Sequence, residues 1–457
     1  MSTPTSSPAN QRKAGDLDPS FGSGGTVDIM EPPRPPSRLY IDAVAPVPSD
    51  SGEQYIYVAC TGRHMDQSYI VRMRGNGTLD AGFGNAGYVQ IPLLEPLGTV
   101  AAISGFLFLE SGNVIGHGRV WGGQGFYLPA AVCITPDGSL DTSFGDQGLA
   151  IYNPPLPEDL KPETELKQEP LPSRNRQQKH SSWTPATAST RADDKLLFLA
   201  AVVDGFYDHV ASFALKITPS GALDNRFGKG GFVLIEDSTV SPARLLDARD
   251  YDIDFQGGIV VAGTVRTGNE QEGLVARYDA RGVLDRGFGG TGIVRIVNPS
   301  GFSTHMRGVK TSEDGKVIAL AAFFTAQSLY QHPAVIKLMP AGYLDPSFNN
   351  GEPATIDLSP AIFVASGIAI DDGRRIIVGG RSVEDHAPVG PSNACVSRLM
   401  PNGILDGSFG EKGTMILEEF HECRGEEVHS GVKAMGILMK PDDVSRVASD
   451  YVFRLLG

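Results

Sequence analysis

The stretch Gly15-Asp16-Leu17-Asp18-Pro19-Ser20-Phe21-Gly22-Ser23-Gly24-Gly25 carries a pattern that recurs along the whole chain. The pattern is Gly-x-Leu-Asp-x-x-Phe-Gly-x-x-Gly, and it is called the repeat phrase below. It occurs seven times, with its leucine at Leu17, Leu79, Leu140, Leu223, Leu284, Leu344 and Leu405, at steps of 62, 61, 83, 61, 60 and 61 residues. A period of about 60 residues indicates an array built from one supersecondary unit.

The composition of the phrase predicts a tight turn with an apolar anchor. Its glycines fall where a turn needs positive φ or close backbone approach, and Leu and Phe supply apolar side chains. The Asp after the leucine is expected to accept hydrogen bonds from backbone amides two or three residues further on. A basic residue five positions before most copies predicts a basic–Asp pair across each turn; these residues are Arg72, Lys216, Arg277, Lys337 and Arg398, with Cys133 breaking the pattern.

The sixth copy departs from the others and reads Phe348-Asn349-Asn350-Gly351-Glu352. Asn349 replaces a glycine, and Asn tolerates the left-handed region. Glu352 replaces the last glycine, which predicts a turn of different shape.

Between phrases, each unit shows four short apolar runs rich in β-branched residues and bounded by Gly or Pro. In the fifth repeat they cover residues 293–296, 305–311, 316–322 and 333–339. Runs of this length predict strands, and helical periods of useful length are absent. Four antiparallel strands in each of seven units predict an all-β, seven-bladed β-propeller, with residues 14–457 forming a single domain.

The phrase at this spacing resembles the delta-60 repeat of bacterial β-propeller proteins, over essentially all of residues 15–457. The resemblance implies the fold but no settled activity and no catalytic residues. A weaker similarity, in the order of strands and turns, is to NHL-type propellers. In the fifth repeat an Asp-Gly turn, Asp314-Gly315, separates the second run from the third. The similarity implies that the run before this turn is innermost in each blade and that the run after the phrase is outermost.

The two ends of the chain match complementary parts of one blade. Residues 451–457 correspond to a third strand and residues 26–29 to a fourth. We therefore predict that the N-terminal strand closes the last blade and leaves no open ring. Seven self-contained blades are the alternative.

Composition narrows the classes of function. The net charge is −14 without a basic run, so nucleic acid and anionic membranes are poor partners. No run of about 18 apolar residues is present, so no membrane span is predicted. Residues 1–13 are predicted to be a disordered tail without a secretory signal. A cytoplasmic monomer is the default expectation, and export by a route that needs no N-terminal signal stays open.

Cysteine and motif content points away from metal, disulfide and cofactor chemistry. Cys60, Cys133 and Cys395 lie in strand-like runs and are expected to be small buried residues. His421-Glu422-Cys423 with His429 is the only local cluster of metal-ligand types, and its spacing matches no standard zinc pattern. No nucleophile elbow, P-loop or dinucleotide fingerprint occurs, so no cofactor and no catalytic residue is predicted.

Sequence variation between the units lies in two classes of loop, which follow the outermost strand or join the second and third strands. In a four-stranded blade both classes emerge on one face, called the loop face below, and loops on a rigid scaffold carry binding. The largest insertion, residues 153–190, is predicted to be flexible. Candidate binding side chains are the aromatic and histidine residues of these loops, which are His64, Trp121, Trp183, Phe206, Tyr207, His209, Tyr330, His332 and His386.

These features favour a non-enzymatic recognition scaffold that binds a protein partner through the loop face. Exposed aromatic rings can anchor such a partner or stack on sugars, so a lectin-like carbohydrate-binding propeller is one alternative. The other is a lyase or hydrolase with its site at the mouth of the central channel, which requires convergent His, Tyr, Arg or acidic side chains near the axis.

Overall fold

The computed structural model describes residues 13–30, 39–47, 54–62, 67–92, 102–121, 126–157, 196–204, 209–268, 270–325, 328–359, 361–383, 392–429, 433–440 and 449–456. Within these ranges the protein is an all-β, seven-bladed propeller of antiparallel strands, which confirms the predicted fold. No helix in the described ranges is long and apolar enough to cross a membrane.

The first three blades follow the N-terminal strand β1 (Thr26–Asp28). Blade 1 consists of β2 (Tyr40–Pro46), β3 (Tyr55–Thr61), β4 (Ser68–Arg74) and β5 (Tyr88–Ile91). Blade 2 consists of β6 (Ala102–Phe108), β7 (Val114–Trp121), β8 (Phe126–Ile134) and β9 (Leu149–Ile151). The described residues of blade 3 form β10 (Leu196–Asp204), β11 (His209–Ile217) and β12 (Phe232–Leu234). A small hairpin, β13 (Glu236–Asp237) and β14 (Arg244–Leu245), leads to blade 4.

The remaining blades repeat the same order. Blade 4 consists of β15 (Asp247–Ile253), β16 (Ile259–Thr267), β17 (Glu270–Tyr278) and β18 (Ile293–Ile296). Blade 5 consists of β19 (Thr304–Thr311), β20 (Val317–Thr325), β21 (Ser328–Leu338) and β22 (Ala354–Thr355), with a 3-10 helix at Asn349–Gly351 before β22. Blade 6 consists of β23 (Ile362–Ile370), β24 (Ile376–Val383), β25 (Ser392–Leu399) and β26 (Thr414–Leu417). Blade 7 begins with β27 (Glu422–His429), β28 (Lys433–Lys440) and β29 (Ser449–Arg454).

The N-terminal strand completes blade 7, as predicted. Strand β1 pairs antiparallel with β29 in the register Thr26↔Phe453, Val27↔Val452 and Asp28↔Tyr451. The sheet order β1-β29-β28-β27 makes β1 the outermost strand and β27 the innermost. The ends of the chain therefore share one sheet, and the ring has no free edge at that point.

The predicted order of strands within a blade is also correct. The five four-stranded sheets run from the strand before the hairpin turn to the strand after the repeat phrase. The described strands of blades 2 and 3 are joined into one seven-stranded sheet, because the end of β10 pairs with the start of β8. The first strands of neighbouring blades contact each other, as β15 does with β19 and β19 with β23, so these strands surround the axis.

The core lies between blades and is anchored by the phenylalanine of every repeat phrase. All seven of these side chains are at most 1% exposed; they are Phe21, Phe83, Phe144, Phe227, Phe288, Phe348 and Phe409. The leucines behave differently, since Leu79 and Leu344 are exposed. The leucine instead packs on the last glycine of its phrase, where a Cβ added at Gly25 would lie 2.5 Å from Leu17 Cβ.

Candidate functional site

The aspartate of the repeat phrase forms the turn that the sequence predicts. In all seven copies one carboxylate oxygen accepts a hydrogen bond from the amide two residues later, at 2.9–3.2 Å. In the copy at Asp406, burial opposes ionisation, but hydrogen bonds from Ser408 and the charge of Arg398 lower the pKa of the carboxyl. The recurring aspartate is thereby explained as a structural residue.

The predicted basic–Asp pair is buried at Arg72 and Arg398. Arg277 instead lies closer to Asp254, at 3.0 Å, than to its phrase aspartate Asp285, at 3.4 Å. Arg72 places Nε and Nη2 each 2.7 Å from Asp80 Oδ2, and Arg398 places the same two atoms each 2.8 Å from Asp406 Oδ2. Arg72 also lies over the Phe83 ring, 4.4 Å from its centroid, and donates to the Pro136 carbonyl of the next blade at 2.6 Å. The arginine therefore links two blades, and removing one partner of the buried pair would cost more than removing one partner of an exposed ion pair.

Every junction between blades carries the same backbone hydrogen bond. The residue after the phrase phenylalanine donates its amide to a carbonyl of the next blade, at 2.8–2.9 Å. The seven donors are Gly22, Gly84, Gly145, Gly228, Gly289, Asn349 and Gly410. Asn349 preserves the bond by adopting φ +44, while Glu352 takes φ −116 where Gly25 has φ +101. The sixth turn thus differs in shape, as predicted, without losing the junction.

The basic partner of the first phrase comes from the other end of the chain. Arg454 on β29 places Nε and Nη2 each 2.9 Å from Asp18 Oδ2 and lies over the Phe21 ring. The residue five positions before Gly15 is Asn10, which is not basic. If the repeat is followed from the C-terminus directly into the N-terminus, Arg454 takes the place of the basic residue of the first phrase.

Two junctions carry lysine in place of arginine. Lys216 donates to the Ala280 carbonyl at 3.0 Å, and Lys337 donates to the Pro401 carbonyl at 3.2 Å. The ion pair of Asp345 is with Lys316, at 3.0 Å, which the spacing rule did not identify. These contacts show that the repeat phrase holds the blades together. Functional residues are therefore expected at positions that differ between blades.

The two classes of variable loop do emerge on one face. Asn298, after β18, donates through Nδ2 to the Phe324 carbonyl near the end of β20, at 2.7 Å. Ser303, which precedes β19, accepts from the Gln271 amide on β17 at 3.0 Å. Contacts of this kind join the loop that follows an outermost strand to the turn between second and third strands.

The predicted binding residues are distributed around this face, and most lie outside the described residues. His64, Trp183, Phe206, Tyr207 and His386 are in that group, and Trp121, His209 and Tyr330 have a described backbone only. Their backbones lie at the ends of β7, β11 and β21 that point to the loop face. His332 is exposed, and its charge helps to lower the pKa of Asp357, after the hydrogen bonds from Ser359. The role of all nine residues stays a prediction.

The cysteines and the His421 cluster have structural surroundings. Cys60, Cys133 and Cys395 are free thiols buried in the core, as expected, and Cys423 of the His421 cluster is also a buried free thiol. His421 contacts the Ser392 carbonyl through Nδ1 at 2.9 Å. In the described part of the chain, no three His, Cys, Asp or Glu side chains are placed to hold a metal ion.

Each described innermost strand contains a β-bulge that the sequence analysis missed. The residues that the register skips are Asp42, Ser104, Arg249, Arg307, Ser366 and the pair Gly425–Glu426. Bulges re-aim side chains, and here they lie on the strands around the axis. A small residue follows the bulge in several blades, and a Cβ at Gly308 would lie 2.5 Å from Ile368 Cγ2 of the next blade. The small residue that recurs at this position of the innermost strands is the sequence feature that could have predicted the bulges.

Three arginines from blades 4, 5 and 6 converge near the loop-face end of the channel, which is called the channel mouth below. Arg249 and Arg307 occupy equivalent bulges, and Arg381 lies opposite Val364 in the first half of β23. All three are half-buried. Burial and the charges of Arg249 and Arg381 lower the pKa of Arg307 to about 10, while Glu422 on β27 opposes that shift.

A neutral histidine adjoins this cluster. His305 precedes Arg307 on β19 by two positions and packs on the Phe324 ring, with a centroid distance of 4.5 Å. Burial lowers the pKa of His305 to about 4, assisted by the charges of Arg307 and Arg249. Arg249 forms an ion pair with Asp247. The mouth therefore combines three clustered guanidinium groups, one of them paired with a carboxylate, with an uncharged imidazole, an arrangement suited to an anionic group.

Comparison with known proteins supports the architecture. A family model described as a beta-propeller domain of unknown function (DUF5122) matches residues 111–144 and 257–288. Each matched segment ends at a phrase phenylalanine, Phe144 or Phe288, so the match covers part of two of the seven units. The chain is accordingly a propeller repeat protein. No curated protein matches the sequence.

Several solved structures are similar to this chain at low identity. The crystal structure of the polysaccharide lyase Uly1 has a TM-score of 0.44 and 11% identity, covering 99% of this chain and 94% of that chain. The β-propeller domain of the Trilobed protease from Pyrococcus furiosus has a TM-score of 0.36 and 9% identity, with coverage of 78% and 82%. The endo-arabinase from Bacteroides thetaiotaomicron has a TM-score of 0.31 and 12% identity, with coverage of 58% and 94%. Likenesses at this level carry no information on activity.

Proposed function

We propose that the protein is a non-enzymatic recognition scaffold that binds a protein partner through its loop face, with an acidic segment of the partner seated at the channel mouth. The observation that carries the proposal is the convergence of Arg249, Arg307 and Arg381 from three successive blades. Guanidinium groups form bidentate, charge-assisted hydrogen bonds with carboxylates. A partner carboxylate would also relieve the repulsion that lowers the pKa of Arg307.

The rigidity of the scaffold supports the same function. Seven backbone bonds and buried ion pairs fix the blades, so side chains at the mouth are held before a partner arrives. Preorganised groups lose little conformational freedom on binding. The rest of the loop face, with the nine candidate residues and the 153–190 insertion, would supply the apolar and adaptable contacts of the interface.

A fluorescein-labelled peptide of ten glutamates tests the charge requirement directly, by fluorescence anisotropy. We expect binding that weakens as salt rises, since exposed charge interactions are screened. A variant combining Arg249→Gln, Arg307→Gln and Arg381→Gln should bind about tenfold more weakly or worse. The matched control combines Arg226→Gln, Arg281→Gln and Arg286→Gln, three exposed arginines on the opposite face with the same loss of charge. Equal binding by the two triple variants would refute the proposal.

An enzyme acting on an anionic substrate at the mouth is the second candidate. It is favoured by His305, whose lowered pKa leaves an imidazole free to accept a proton beside cationic side chains. Turnover of charged oligosaccharides or esters that is lost in His305→Gln would select this function over a purely binding one. The lectin-like alternative predicts equivalent pockets in every blade, whereas the bulge residues differ from blade to blade.

Other expectations from sequence are kept as part of this proposal. The repeat phrase supports assignment to the delta-60 type of propeller repeat. We expect residues 1–13 to be a disordered tail, residues 153–190 to be a flexible arm, and the protein to act as a cytoplasmic monomer. Described residues reach position 157, and Leu156 packs against the core, so the flexible part would begin after it.

A further inference from the structure

The junction between blades 5 and 6 contains a cavity on the face opposite the loops. Its volume is about 290 Å³, close to the lower limit for small-molecule sites. The hairpin turns of blades 5 and 6 and the sixth and seventh repeat phrases border it. The wall carries Lys316, Lys337 and Arg374, and buried Ile318 and Ile376 form an apolar part.

The cavity lies at a junction where lysine replaces the arginine of other repeats. At Arg72, one guanidinium reaches both the phrase aspartate and the carbonyl of the next blade. At this junction two ammonium groups divide those contacts, since Lys337 donates to Pro401 and Lys316 pairs with Asp345. A slender lysine side chain does not fill the volume that a planar guanidinium occupies.

The positive charge of the cavity exceeds what its own carboxylates neutralise. Asp345 is engaged by Ser347 at 2.6 Å and Lys316 at 3.0 Å, and Asp314 accepts from Ser312 at 2.5 Å. Among the described residues, neither Lys337 nor Arg374 has a carboxylate as an ion-pair partner. Burial lowers the pKa of Lys337, and the charges of Lys316 and Arg374 act in the same direction, while Asp345 and Asp314 oppose the shift without cancelling it.

We propose that this cavity is a binding site for a small organic anion, a carboxylate or a phosphate monoester, whose charged group lies between Lys337 and Arg374 and whose carbon skeleton contacts Ile318 and Ile376. Lys337 supplies a point charge and Arg374 a bidentate donor. The site is independent of the channel mouth and of the partner proposed for it. Its ligand could carry either anionic group, so the test separates the two.

Isothermal titration of the full chain with citrate and with inorganic phosphate, at constant ionic strength set with sodium chloride, tests the proposal. We expect saturable binding of at least one probe, and the probe that binds more tightly identifies the favoured anionic group. Arg374→Gln should weaken that binding about tenfold. Arg374 is exposed and is already at φ +58, so this substitution leaves the fold in place. Arg281→Gln is the matched control, because Arg281 is an exposed arginine on the same face, in the turn before the fifth repeat phrase and away from this cavity.

Lys337→Arg gives an independent test that does not weaken the fold. The guanidinium should occupy the cavity and restore the junction seen at Arg72. We expect unchanged or higher stability without ligand, together with loss of anion binding. The proposal is overturned if neither probe binds, or if Arg374→Gln and Lys337→Arg bind as tightly as the unaltered protein.

Discussion

Arg454 and Asp18 form a buried ion pair across 436 positions of sequence, with two guanidinium nitrogens 2.9 Å from one carboxylate oxygen. Both side chains are less than 10% exposed. The pair reproduces, between the two ends of the chain, the contact that Arg72 and Asp80 make within one repeat. Ring closure therefore uses the same ion pair as the Arg72 and Arg398 repeats, with β1 and β29 supplying the sheet.

Removal of the charge at this closure should destabilise the whole ring. Arg454→Gln leaves Asp18 as a buried carboxylate without its ion-pair partner, and such a change costs about 3–5 kcal/mol. Urea denaturation followed by circular dichroism measures the loss. Arg226→Gln serves as control, because its pair with Asp224 has an arginine side chain that is 75% exposed and should contribute about 0–1 kcal/mol. A loss of similar size in both variants would contradict the closure role of Arg454.

Removal of residues 1–30 should lower the melting temperature of the entire propeller rather than loosen one end. The deletion takes away β1, Phe21 and Asp18, and so exposes the edge of β29 and the core behind it. Differential scanning calorimetry should show a single transition at lower temperature. An unchanged melting temperature would mean that blade 7 is complete without the N-terminal strand.

The fold could be predicted from the sequence because the same structural unit is repeated seven times. Each copy of the phrase gave independent support to the same turn, and the deviation at Asn349 and Glu352 was interpretable by comparison with the others. Arg454 was missed because it precedes its phrase only after the ring has closed. The period had to be continued through the ends of the chain to reveal it.

The channel mouth could not be predicted in the same way. Arg249, Arg307 and Arg381 lie on three blades, and their convergence depends on β-bulges and on the direction of curvature around the axis. The pattern of apolar and polar residues along a single strand shows neither the bulges nor the curvature. Lys316 was missed for a related reason, since its contact with Asp345 joins the hairpin turn before the second strand of the blade to the repeat phrase.

Tight packing at the junctions predicts strong sensitivity at one class of glycine. A Cβ at Gly138, which has φ +89, would lie 2.2 Å from the amide nitrogen of Gly84 in the preceding blade. Gly230 has φ +64 with no atom within 4 Å of its would-be Cβ. Gly138→Ala and Gly230→Ala share the backbone cost of about 1 kcal/mol at positive φ, so their difference isolates the clash. We expect Gly138→Ala to be more destabilising by at least about 2 kcal/mol in urea denaturation, and equal losses would contradict this packing.

His117 should make stability fall as the solution becomes acidic. Burial lowers its pKa from 6.5 to about 3, and its ring stacks on Phe198 with a centroid distance of 4.8 Å. Below about pH 6.5 the histidine of the unfolded chain binds a proton, whereas the buried histidine of the folded chain does not. The free energy of unfolding therefore decreases as the pH falls towards about 3, by up to ~1.4 kcal/mol per pH unit.

Asp250 acts in the opposite sense and must be separated from His117. Burial raises the pKa of Asp250 to about 6, so its contribution to stability is present at low pH and lost as pH rises through that value. Asp250 contributes equally to the free energy of unfolding of the unaltered protein and of His117→Phe, so it cancels when the two values are subtracted. Between pH 6 and pH 4 the unaltered protein should lose stability relative to the variant. A difference in the free energy of unfolding that does not change with pH would show that the pKa of His117 is not lowered by folding.

Cross-linked affinity capture from the native source, followed by mass spectrometry, tests the recognition function most directly. Three baits are compared: the full chain, the Arg249/Arg307/Arg381 glutamine triple variant, and the Arg226/Arg281/Arg286 glutamine triple variant. We predict a protein with an acidic segment that the full chain and the second variant recover and the first variant does not, with cross-links that map to the loop face. Recovery of the same proteins by both variants, or cross-links confined to the opposite face, would contradict the account.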